Sequence, residues 1–208
     1  MFEGNFKETE EQLAELEEID GVVSNRIFSL LLQWLYLGRF KFAEESPSDR
    51  ITAMIELARF ADMLKINGMD PQIVECIRTT VLDNPHQHNN PRGGSARTPD
   101  THIHHMTPEH IDAASRLPKG HLVRLLPAKA AVHAYLHSDN FKFSKETQDV
   151  PEFAADLLEV LNVALKSFKY NYTTQGLKRR LGAAGQQCDE LKCTYKDPFT
   201  EERRPFRE

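Results

Sequence analysis

The chain has 208 residues, enough for one sizeable domain or two small ones with a buried core. Its 40% hydrophobic and 27% charged content is that of an ordinary soluble globular protein, and a net charge of −5 gives no global attraction for nucleic acid or an anionic membrane. The charge is uneven: residues 1–20 carry eight acids against Lys7 alone, whereas residues 166–208 carry ten Lys and Arg against six acids. An acidic start and a basic tail can attract each other or attract different partners.

The opening Met1-Phe2-Glu3-Gly4-Asn5 has neither a basic lead nor an apolar run, so it does not read as a secretory peptide. The longest apolar stretch, Ile27 to Gly38, is too short to span a bilayer. Three cysteines (Cys76, Cys188, Cys193) make no disulfide framework, which points to a reducing compartment, cytoplasm and/or nucleus. In such a compartment the sequon Asn171-Tyr172-Thr173 has no role.

In chain order, Leu13, Leu16 and Ile19 recur three apart among glutamates, which predicts a short acidic helix over 9–19. Ser24 is an N-cap for a second helix in which Ile27, Phe28, Leu31, Leu32, Trp34 and Leu35 fill more than one face. That pattern predicts a largely buried helix, with Trp34 in the core and Gly38 as the stop. A third helix is expected from about Asp49 to Lys65, capped by Ser48 or Asp49 and ended by Asn67-Gly68. Asp70 as cap with Pro71 at the first position starts a fourth, with Ile73, Val74, Ile77 and Val81 inward.

Residues 83–106, rich in Asn, Pro, Gly and His, lack apolar periodicity and read as a flexible linker. A second helical region follows over 107–170. Thr107-Pro108-Glu109 opens a helix to about Leu117, and another apolar stretch spans Leu122 to Leu136, with Pro127 either early in it or breaking it. The last helix starts near Pro151 and is expected to face Phe153, Leu157, Leu158, Val160, Leu161 and Leu165 inward. Residues 171–208 read as a tail with little structure.

The chemistry of an enzyme is hard to assemble from these residues. His102, His104, His105 and His110, with His86 and His88 upstream, suggest zinc by residue type. They sit in or beside the linker with no cysteine pair nearby, so they read as solvated and no metal is expected. Cys188 and Cys193 form a single pair and read as free thiols. Gly93-Gly94 lacks a P-loop lysine, no nucleophile elbow surrounds Ser95, and the glutamates of residues 8–20 read as a solvated face. No catalytic residue and no cofactor is expected.

Three phrases carry a family resemblance. Met1-Phe2-Glu3-Gly4-Asn5-Phe6-Lys7-Glu8 resembles the end of the second helix of a BTB/POZ domain. Phe28 followed by Trp34-Leu35-Tyr36-Leu37-Gly38 is similar to the family's "F, six on, W-L-Y-x-G" helix. Leu57-Ala58-Arg59-Phe60-Ala61-Asp62-Met63-Leu64 looks like its "L-A-x-x-A-D" helix. The wording is most similar to fungal BTB proteins. The resemblance covers residues 1–82 and is looser beyond.

It implies a mainly α chain: a BTB/POZ helical lobe lacking the front half of that domain, then a second helical lobe and a poorly structured tail. The front half holds most of the family's dimer surface, so homodimerisation is not carried over, and apolar surface on the first lobe is expected to be exposed. Residues 9–20 lie where the family places a strand, against the helical periodicity.

Phe6-Lys7-Glu8 matches the apolar-x-Glu motif by which BTB adaptors bind the cullin scaffold of ubiquitin ligases. An exposed aromatic fills a pocket and the carboxylate fixes orientation. Phe6 packing on the helix behind it is the other reading of the same residues. The resemblance thus implies a non-enzymatic protein-interaction module, a substrate adaptor with Phe6 and Glu8 as protein-binding residues. The alternative is a nuclear regulatory or scaffold protein whose basic clusters, Lys178-Arg179-Arg180 and Arg203-Arg204, contact chromatin or RNA.

Overall fold

The structure is a computed structural model, and it describes residues 23–42, 46–85, 87–89, 95–97, 102–138, 140–171 and 192–205. It is mainly helical, in agreement with the sequence. The described elements are α1 (Asn25–Leu37), α2 (Pro47–Met63), α3 (Asp70–Asp83), β1 (Gln87–Asn89), β2 (Ser95–Arg97), α4 (Pro108–Ser115), α5 (Leu125–His137), α6 (Glu146–Asp149), α7 (Pro151–Lys166), β3 (Lys169–Asn171), β4 (Lys192–Lys196) and β5 (Arg203–Pro205). The acidic segment at residues 9–20 lies outside the described residues. No helix among those described is long and apolar enough to cross a membrane.

The helix ends follow local chemistry, and three of them correct the expected caps. Ser24 caps α1 by accepting from the Ile27 N–H at 3.3 Å, and Gly38, at φ 64°, closes it by donating to the Trp34 carbonyl at 2.8 Å. Helix α2 begins earlier than expected. Ser46, not Ser48 or Asp49, is its cap; it accepts from the Asp49 N–H at 3.1 Å and is followed by Pro47 at the first position. Its end falls at Met63, before Asn67-Gly68, because Lys65 takes up the left-handed conformation at φ 56°. The N-cap position of α3 is the buried Met69. Asp70 already lies inside the helix, and its carboxylate is 3.4 Å from Nε2 of His121.

The described core is one cluster whose members run from Val23 to Phe199. Helix α2 packs on α1, α3 and α4, and α5 packs on α4 and α7, so the helical regions either side of residues 83–106 meet directly. Within 83–106, β1 and β2 pair antiparallel with His88 opposite Ala96. The segment ends in a turn that buries Ile103 and Met106. Lys142 Nζ holds that turn by donating to the carbonyls of Ile103, His104 and Met106 at 2.8–3.0 Å.

Pro127 sits in the first turn of α5, where its missing N–H is harmless, so the Leu122–Leu136 stretch is not broken there. Rings from three elements pack edge to face along the chain Tyr135, Phe141, Phe143 and Phe153, with centroids 5.4–6.3 Å apart. Helix α7 buries Phe153, Leu157, Val160 and Leu161. Leu158 and Leu165, expected inward, are exposed because Asp156 and Ala164 share the inner face instead.

In the expected tail, β3, β4 and β5 form an antiparallel sheet with Tyr170 opposite Cys193 and Tyr195 opposite Arg204. Tyr195 and Phe199 enter the core. Apolar periodicity does not find such short strands, since a three-residue element shows too few alternations.

Candidate protein-binding surface

Helix α1 presents two faces of different fate. Ile27, Leu30 and Leu31 are buried, and Trp34 is half-buried, its Nε1 donating to Gln72 Oε1 of α3 at 2.7 Å. The other face is open: Phe28 is 41% exposed, Leu32 37%, Leu35 56% and Tyr36 83%. These four lie at i, i+4, i+7 and i+8, a single stripe without a charged residue. The largely buried helix expected from its composition is therefore only half-buried. The apolar residues do fill more than one face, but the described neighbours cover only one.

Phe6 and Glu8, the residues singled out in the sequence, lie outside the described residues, as do Lys178-Arg179-Arg180 and Cys188. Cys193, in β4, is half-buried and free.

The histidines depart most from expectation. His110 is buried between α2 and α4. Its Nδ1 accepts from the Thr107 N–H at 3.0 Å, which leaves Nε2–H to donate to Thr52 Oγ1 at 2.7 Å; Thr52 in turn donates to the Ser48 carbonyl at 3.1 Å. Burial pushes the His110 pKa down, consistent with a neutral ring in this chain of bonds.

His102 is buried in a second polar knot. Its Nε2 accepts from Arg204 at 3.2 Å, and its Nδ1 is 4.0 Å from the Asp197 carboxylate, which Arg204 Nε meets at 2.9 Å. Asp197 also accepts from the N–H of Phe199 at 2.9 Å, bending the β4–β5 turn. The Tyr195 hydroxyl meets His133 Nδ1 at 2.8 Å. Burial pushes the Tyr195 phenol up, so the hydroxyl keeps its proton beside the ring nitrogen.

These groups hold the C-terminal sheet to α5. Arg204, read from sequence as part of a basic patch, is thus an internal ion-pair partner, and only Arg203 of that pair is exposed. Among the described residues no three His, Cys, Asp or Glu side chains converge on a possible metal position.

No family model matches the chain, and neither the curated proteins nor the solved structures contain a match. The functional reading therefore rests on the α1 surface and on the phrases quoted from the sequence.

Proposed function

We propose that this protein is a non-enzymatic protein-interaction module of the BTB/POZ kind, acting as a substrate adaptor for a cullin-type ubiquitin ligase. An adaptor needs one surface for the scaffold and another for the client. The resemblance assigns the scaffold contact to Phe6 and Glu8. The open face of α1 is the observation that supports a second surface, and its occupant is an amphipathic helix of the client protein. Phe28, Leu32, Leu35 and Tyr36 repeat at the spacing by which one helix reads another. With no charge in the stripe, the complementary face is apolar, and the tyrosine at its C-terminal end is a typical anchor.

The test has two independent arms. Calorimetric titration against a purified cullin scaffold should show Phe6→Ala and Glu8→Lys each weakening binding by about 1–3 kcal/mol. Unchanged affinity for both removes the adaptor assignment. In the second arm, client proteins captured from source cells should be lost on a Leu35→Asp, Tyr36→Asp double variant that keeps its circular dichroism and its scaffold affinity. A client retained by that variant rules out α1 as the client surface.

A further inference from the structure

A groove of about 420 Å³ opens between the segment after α1 and the outer face of α3. This is within the range of about 300–1,000 Å³ usual for ligand sites. Phe40 and Phe42 form its apolar wall, Arg39 and Arg50 are its cations, and Thr79, Glu75 and Asp83 stand among its polar residues. It uses none of Phe28, Leu32, Leu35 or Tyr36, so it is a site separate from the α1 stripe.

Arg50 is the unusual member. Its guanidinium carbon lies 5.3 Å from the centroid of the Phe42 ring. Stacking on a ring face leaves the in-plane N–H groups for an acceptor. Its Nε is shut off from solvent and has no hydrogen-bond partner, and no ion pair to Arg50 or Arg39 is present among the described residues. Cys76, the nearby thiol, does not neutralise Arg50, because burial pushes its pKa up and keeps it protonated at neutral pH. A half-desolvated cation without a counterion is a poor arrangement alone and a strong one once a carboxylate arrives.

We propose that this groove binds a short acidic segment of a partner polypeptide, with a carboxylate on Arg50, Arg39 at the mouth, and a neighbouring apolar side chain against Phe40 and Phe42. The mixed lining favours a peptide over a small free anion. Glu75 and Asp83 oppose any anion in the groove, and a peptide, unlike a free anion, offsets that by offering backbone N–H donors to those carboxylates and to Thr79. The inference goes beyond the adaptor reading and does not depend on it.

Trp34, the single tryptophan, is a built-in reporter, since Gln72, its hydrogen-bond acceptor, also lines the groove. The probe is a terminally blocked pentapeptide, serine-glutamate-phenylalanine-glutamate-glycine, with a control in which glutamine replaces both glutamates. The full chain is titrated while Trp34 emission and the backbone amide shifts of Phe40, Phe42, Thr79 and Thr80 are followed by NMR. The acidic peptide should give saturable shifts at these four amides, with binding that weakens as salt rises. The glutamine peptide and Arg50→Gln should each bind at least tenfold more weakly, and Arg39→Gln, at an exposed position, about threefold more weakly. Equal binding of the two peptides, unchanged binding by both arginine variants, or no saturable shift at the four amides would overturn the proposal.

Discussion

Helices α1 and α5 are both thirteen residues long, and each contains nine apolar residues, yet they occupy opposite environments. Helix α5 is enclosed: Leu126, Pro127, Ala128, Ala130, Ala131, Val132 and Ala134 are all buried. Helix α1 buries Ile27, Leu30 and Leu31, half-buries Trp34, and turns Phe28, Leu32, Leu35 and Tyr36 outward. The difference lies in side-chain size. Four alanines let neighbouring elements approach α5 from several sides, whereas the leucines and aromatics of α1 need a thick partner layer that the described residues supply on one side only. Apolar content thus measures how much a helix gains from being covered and does not say whether its own chain covers it.

The enclosed region should be the intolerant one. Asp156 of α7 is buried and receives Arg124, just before α5, through Nε at 2.7 Å and Nη2 at 3.3 Å. Arg124 also donates to the Leu117 carbonyl at 3.1 Å, so one guanidinium ties α4, α5 and α7 together. Asp156→Ala leaves that cation buried and unpaired, and urea unfolding should show a loss of about 3–5 kcal/mol. Next in size, Ala131→Leu overpacks the centre of α5 and should cost about 1–3 kcal/mol. Leu35→Gln on the open face of α1 should change stability by less than about 0.5 kcal/mol while lowering concentration-dependent association in sedimentation. Equal costs for Ala131→Leu and Leu35→Gln would mean that α1 is covered in solution.

The polar knot beside α5 adds a pH dependence. His133 is pushed down to about 4 by burial and then by Arg204, with His137 and His102 adding to the repulsion and Asp197 opposing it. A histidine so depressed binds its proton later in the folded state than in the unfolded chain. The contribution of His133 to stability should therefore be flat above about pH 7, fall as the pH drops from 6.5 towards 4, and level off below that. His110, depressed by burial between α2 and α4, adds to the same slope. His133 is only partly buried, so its share stays below the limit of about 1.4 kcal/mol per pH unit for one proton. His133→Gln, which keeps an acceptor for the Tyr195 hydroxyl, should flatten the stability curve between pH 6.5 and 4. A curve of unchanged slope would place the acid sensitivity elsewhere.

The helical class, the Ser24 cap, the Gly38 stop and the helix starts at Thr107-Pro108 and Pro151 could all be read from the sequence, because each depends on residues within one turn of one another. What could not be read depends on distant partners. His102 and Arg204 look like solvated linker and basic tail until the fold brings Asp197 between them, more than ninety residues from His102. The groove escaped for the same reason: Phe42, Arg50 and Thr79 come from three segments. The apolar stripe of α1 was visible as a run of large residues, but its exposure depends on what packs against it.

A local rule is broken at the end of α2. Ile66 N–H donates to the Ala61 carbonyl at 2.8 Å and Lys65 N–H to the Asp62 carbonyl at 3.1 Å, the paired bonds of a helix end that normally places glycine in the left-handed position. Lys65 holds that position at φ 56°, where its Cβ crowds the following carbonyl. Its ammonium lies 3.4 Å from Asp62, but on a side chain that is 79% exposed, so solvent screening leaves that pair little to offset the strain. Lys65→Gly removes the crowding and adds some unfolded-state entropy, for a net gain of about 0.5–1 kcal/mol in chemical denaturation. Lys65→Val, β-branched at the same φ, should lose at least as much. A destabilised glycine variant would show that α2 ends differently in solution.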